Sequence, residues 1–150
     1  MMDRIIDIEE VHKMWSEDSK IDELELDKES LKIPQLHSKY IKIFSDENQL
    51  LSRMMYGHQA LERDKIEYFQ GKMCEEDLKE RGWEPLSMKV IRGDIPKYVA
   101  GDPHVISNLV RISDQREKVS LLSSIISNIN NRSYMLTNAI KWKQFTSGIN

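Results

Sequence analysis

Residues 101–145 read GDPHVISNLVRISDQREKVSLLSSIISNINNRSYMLTNAIKWKQF. Gly101-Asp102-Pro103 marks a helix start, with Asp102 as N-cap and Pro103 in the first turn, where its missing N–H costs nothing. Beyond it, Val105, Ile112, Val119, Ile126 and Ile140 recur by sevens, with Leu122, Ile129 and Leu136 at the second core position. Asn108, Gln115, Ser133 and Lys143 fill remaining slots and loosen the pattern. Sustained spacing by sevens predicts a coiled-coil-like seam. A helix to Phe145 would be ~60 Å long, whereas a compact domain of this size has a radius of gyration of about 15 Å. Sharing between copies is therefore expected. Val105, Leu109, Ile112, Val119, Leu122, Ile126, Ile129, Leu136 and Ile140 are the predicted oligomerisation residues. Ser123, Ser124, Ser127, Asn128, Asn130 and Asn131 populate the other faces, a charge-poor surface suited to burial among neighbours.

A second long run precedes this one. It is expected to begin at Ser30 or Ile33, with Pro34 in the first turn, and to reach Gln70. Its stripe is Tyr40, Phe44, Leu51, Met54, Leu61 and Tyr68, interrupted by Glu47, His58 and Lys65. Gly57 costs about 1 kcal/mol against alanine in a helix interior. A bend or break is expected near Ser45–Asp46 or Gly57, since an unbroken run would reach ~55 Å. Between the long helices, Glu75–Arg81 reads as a short helix ended by Gly82. Ser87–Ile91 and Ile95–Val99 read as two strands of a small β-hairpin turning at Arg92-Gly93-Asp94. Pro96 would confine the second strand to an edge. The fold class expected is mainly α, two long helices with a short helix and a hairpin between them, assembled as an oligomer. Residues 1–30 form an acidic arm and residues 31–150 the helical domain.

The arm carries eleven acids against four bases from Met1 to Ser30, whereas Lys118 to Asn150 holds four bases and no acid. An overall net charge of −3 therefore says little about partners. Asp3–Trp15 is expected to be an amphipathic helix, with Ile5, Ile8, Val11 and Trp15 on one face. Ser16–Ser30 is expected to be irregular and to dock Ile21, Leu24 and Leu26. No signal peptide or apolar run of membrane-spanning length is present. The one cysteine, Cys74, suits a reducing compartment.

Leu61–Gly71 carries the candidate chemistry. Arg63 and Lys65 stand just ahead of Tyr68 and Phe69, and cations beside aromatic rings suit single-stranded nucleic acid, charge following phosphates and rings stacking bases. Lys72 extends the candidate surface, Lys89 and Arg92, or Lys97, would line a groove, and Lys141-Trp142-Lys143 is a second cation–aromatic cluster. The plainer readings are a solvated helix end for the first and lysines complementing a helix C-terminus for the second. His12, His37, His58 and His104 are scattered, without metal-ligand spacing. The acids beside Cys74 oppose a thiolate. No phosphate loop or nucleophile elbow occurs. No enzyme, cofactor or metal is expected. A metal-dependent nuclease would need converging carboxylates, and Glu75-Glu76-Asp77 reads better as a solvated face.

Three stretches carry a resemblance. They are Leu26–Tyr40 (Leu26-Asp27-Lys28-Glu29-Ser30-Leu31-Lys32-Ile33-Pro34 and Leu36-His37-Ser38-Lys39-Tyr40), Arg63–Gly71, and Ile129-Asn130-Asn131-Arg132-Ser133-Tyr134 running on to Phe145 and Gly148. In this order and spacing, from about Ile21 to Gly148, the chain resembles the UvsY family of phage recombination mediators. The resemblance implies a non-enzymatic protein that forms a ring-like homo-oligomer and binds single-stranded DNA. It implies help to the phage recombinase in replacing the single-strand binding protein, in the cytoplasm of the infected bacterial host. The family's basic pair falls on Arg63 and Lys65. Asp64 stands between them where a small uncharged residue is usual, and it weakens the local field. The alternative is a coiled-coil scaffold protein without nucleic acid.

Overall fold

The computed structural model describes residues 5–148. Its helices are α1 (Ile8–Asp18), α2 (Leu26–Phe69), α3 (Glu75–Arg81), α4 (Ile95–Ala100) and α5 (Pro103–Thr146), and no strand occurs among the described residues. Two compact units divide the chain. The first runs up to Gln49 and resumes at Arg116; the second is Leu50–Gln115.

In the first unit, α1 starts later than its apolar spacing suggested. Asp7 is the N-cap residue, and Glu9 and Glu10 follow in the first turn, where carboxylates complement the helix dipole. Asp3 and Arg4, the start of the expected helix, lie outside the described residues. Val11 is fully buried with Tyr40, Leu122, Ile125 and Ile129, and Trp15 meets the Tyr40 ring edge-on at 5.5 Å. The segment after α1 docks by its carbonyls more than by its side chains. Arg132, only 2% exposed, donates from Nη1 to the Asp18 carbonyl and from Nη2 to those of Ser19 and Lys20, all at 3.1–3.2 Å. Leu24, expected to dock, is 90% exposed.

Helix α2 begins at Leu26, ahead of the expected start, because Glu29 N–H already bonds the Glu25 carbonyl at 3.0 Å. Pro34 is therefore inside the helix rather than in its first turn. Such a residue costs ~3 kcal/mol; Ser30, whose carbonyl loses its amide partner, is exposed. No break occurs at Ser45–Asp46 or Gly57. Lys42 Nζ bridges to Asp46 at 2.5 Å across the first position.

The helices close their seams on each other within each unit. In the first, Glu29 lies 3.9 Å from Arg132 and Glu47 lies 3.1 Å from Lys118. In the second, Asn108 Nδ2 is 3.0 Å from His58 Nδ1, and Lys65 Nζ is 3.1 Å from Asp102. The α5 partner falls in number as the α2 residue rises, so the pairing is antiparallel in both. Consequently Val105, Ile112, Leu122, Ile129 and Leu136 are buried within a single chain. Val119 and Ile126 are half-buried, and Leu109 and Ile140 are exposed. The five buried positions make no demand on a second copy.

The second unit corrects the hairpin. Ser87–Ile91 is irregular, Arg92–Asp94 is a 3-10 turn, and Ile95–Val99 lies in α4. Pro96 stands in the first turn of α4, where proline is favoured. Ile95 and Val99, one helical turn apart, pack with Phe69 and Val105 in the core. Helix α3 ends as expected at Gly82, whose φ of 67° is left-handed. The N-cap of α5 also holds: Asp102 Oδ1 accepts from the amides of His104 (2.9 Å) and Val105 (3.2 Å).

Candidate nucleic-acid interface

Arg63 and Lys65 are two residues apart on α2, so they face opposite ways. Arg63 is outside, its side chain 72% exposed and its Nη2 3.2 Å from Asp64. Asp64 also pairs with Arg81 from α3. The Arg81 hydrogen bond, with Arg63 behind it, holds the Asp64 carboxyl below the usual carboxylate range. Two guanidiniums thus share one carboxylate, and the charges of Asp77 and Glu67 also act on Arg81. Arg81 is not among the residues the sequence nominates, and its only sequence signal is its place in the last turn of α3.

Lys65 is inside, 2% exposed. Its ammonium is held by Asp102 at 3.1 Å, contacts His104 Nδ1 at 3.1 Å, and lies 3.8 Å from the centre of the Trp83 ring. Donation to Nδ1 requires the His104 ring proton on Nε2. Taking an ammonium out of water costs several kcal/mol; the carboxylate and a desolvated cation–π contact worth about 2 kcal/mol oppose that cost. The Gly82 turn delivers Trp83 to this position, with Trp83 N–H bonded to the Leu78 carbonyl at 2.9 Å.

The rings beside the basic pair are also committed. Phe69 is in the core. Tyr68 is half-buried, edge-on to Trp83 at 5.5 Å, and donates its hydroxyl to the Glu84 carbonyl at 2.6 Å. Burial, and then the Asp102 charge, push its phenol pKa up. Lys72, Lys89 and Arg92 are exposed. Arg92 lines a cleft of ≈ 380 Å³ with Ile66, Gln70 and Pro96. Lys141 and Lys143 belong to the other unit, where Trp142 and Phe145 are exposed with ring centres 5.8 Å apart. Lys143 Nζ donates to the Glu23 carbonyl. The described residues contain no cluster able to hold a metal ion. No described helix is long and apolar enough to cross a membrane.

A protein-family model described as "Recombination, repair and ssDNA binding protein UvsY" matches residues 14–149. No curated protein matches the chain. Two crystal structures of the bacteriophage T4 recombination mediator protein UvsY share its fold. The lattice type IV form has a TM-score of 0.80 at 14% identity, covering 93% of this chain and 99% of that one. The lattice type II form has a TM-score of 0.80 at 15% identity, covering 95% and 99%.

Proposed function

The chain belongs to the UvsY family, and on that premise we propose that it is a recombination mediator that binds single-stranded DNA as a homo-oligomer. In this reading it helps load the phage recombinase where the single-strand binding protein would otherwise sit. The observation that carries the DNA contact is the Arg63–Asp64–Arg81 cluster, an exposed guanidinium beside a half-neutralised second one. With Asp77 and Glu67 also acting on Arg81, the positive field of one subunit is feeble alone. Repetition around an assembly raises the effective concentration of the remaining sites once the first is engaged. Exposed Ile106, Leu109 and Val110 on α5 offer an apolar surface for a second copy in place of the seam residues already used within the chain. Lys72, Lys89 and Arg92 in the second unit, and Lys141 in the first, are further exposed cations offered as phosphate contacts. Lys65 supports this reading indirectly, by fixing the end of α2 that displays Arg63.

Arg63→Ala is expected to weaken binding of a labelled oligonucleotide. It should also flatten the log–log salt dependence by about 0.7 for each phosphate that Arg63 neutralises. Unchanged affinity and slope would remove Arg63 from the interface. Failure of the wild-type protein to bind any single strand would leave the scaffold reading standing.

A further inference from the structure

We propose that the exposed face of α2 from Arg53 to Arg63 is a base-stacking platform for single-stranded nucleic acid, with Tyr56 as the stacking ring and the two arginines as phosphate contacts. The proposal rests on the single-strand reading above and supplies the ring that reading lacks.

Tyr68 and Phe69 cannot serve, being engaged inside the unit. Tyr56 is 71% exposed. Unlike those of Tyr40 and Tyr68, its side chain has no hydrogen bond or ring contact among the described residues. Arg53, Tyr56, Ala60 and Arg63 fall at helical spacing on one face, opposite the inward-facing Met54, His58, Leu61 and Lys65. Over ten residues the two arginines are set ~15 Å apart along the helix, with the ring between them.

Charge and space on this face both suit a strand. Asn48 to Leu61 contains no Asp or Glu. Arg53 is exposed and makes no ion pair among the described residues. Glu62 is turned toward His58, 3.5 Å away. Asp64, 3.2 Å from Arg63, and Glu67 are the acids that bound the face beyond it. Around the ring, Gly57 and Ala60 offer nothing larger than a methyl group. A Cβ placed on Gly57 would meet nothing within 4 Å, so no close approach inside the chain requires glycine there. Its mid-helix cost of about 1 kcal/mol gains a reason if the ring must remain open to a base on that side.

The test uses the full chain, labelled oligonucleotides and a matching abasic strand. Tyr56→Ala should weaken binding of the normal strand at least about fivefold, the low end for loss of one stacked base, with an unchanged salt slope. Tyr56→Phe should bind like wild type. The abasic strand should not distinguish wild type from Tyr56→Ala. Arg53→Ala should flatten the salt slope without altering that abasic comparison. Wild-type binding with equal affinity for Tyr56→Ala would overturn the platform alone. Absence of any wild-type binding would overturn the underlying DNA reading with it. A Tyr56→Ala protein that sediments as a smaller species, with affinity restored at concentrations that restore assembly, would assign the ring to a contact between copies and overturn the proposal.

Discussion

Each unit holds a cation that is only 2% exposed, and the two are held by different chemistry. The first holds Arg132 by a fan of backbone carbonyls, those of Asp18, Ser19 and Lys20, with Glu29 at 3.9 Å. The second holds Lys65 by one carboxylate, one imidazole nitrogen and a tryptophan face. A planar guanidinium presents several donors in a fixed fork; an ammonium is a point charge on a flexible stem. The guanidinium can therefore stop a chain at a helix end, where carbonyls lack partners. The ammonium instead marks where three segments meet: α2, the Trp83 connection and the start of α5. Neither cation is available to a phosphate.

Removing the fork should do the most damage. Arg132→Met is expected to destabilise the chain by roughly 3–5 kcal/mol, since three carbonyls lose their donors at once, while Glu29 keeps Lys32 at 2.8 Å. Arg132→Lys should recover only a minor part of this, as read by denaturant midpoints. A lysine variant as stable as wild type would show that charge, rather than the fork, holds the segment. Lys65→Met should cost less, roughly 2–3 kcal/mol, because Asp102 keeps its two amide donors when the ammonium goes. It should leave the salt slope of strand binding unchanged, in contrast to Arg63→Ala. A shallower slope in a folded Lys65→Met protein would return Lys65 to the interface.

Acid should sharpen the contrast with the smallest effect. Hydrogen bonding to Lys32 holds the Glu29 carboxyl below its usual range. Burial would raise Asp18, but hydrogen bonds from Lys39 and Tyr40 outweigh it and lower the pKa. In the second unit Asp64 is lowered by Arg81. Groups with depressed folded values contribute stability above their unfolded values, usually 3.8 for Asp and 4.5 for Glu, and that stability is lost as pH falls through the folded ones. These groups should leave stability flat from about pH 5 to 7 and lower it below about 4.5. Amide exchange at pH 4 against pH 6 should show the first unit, with two such groups, opening more than the second. The reverse order would mean that other carboxylates govern the acid response.

What was legible in the sequence was local. The Asp102 cap, the Gly82 stop and the two long helices follow from side chains acting on their own backbone, and the structure contains all of them. The hairpin was not legible, for a definite reason. Ile95, Lys97 and Val99 satisfy period two, yet Ile95 and Val99 are also one helical turn apart; only packing against Phe69 and Val105 decides. Lys65 was half legible. Its place in the stripe with His58 and Leu61 pointed inward, while its closeness to Arg63 suggested an outward pair. Asp102, His104 and Trp83, its actual partners, are remote in sequence and could be supplied only by the fold. Tyr56 left only a weak trace, a ring set opposite an apolar stripe.

The polar pairs across the long helices constrain how relatives of this chain can vary in length. Apolar seams repeat, so a slip of seven residues would still set leucine against isoleucine. In the second unit such a slip would bring Lys65 opposite Asn108 and strand its charge without a carboxylate, while Asp102 would run past the end of the matched segment. Insertions and deletions between residues 58 and 65, or between 102 and 108, are then expected to be compensated on the opposing helix of the pair. Uncompensated heptads should collect at the outer ends of the helices, where no ion specifies the alignment.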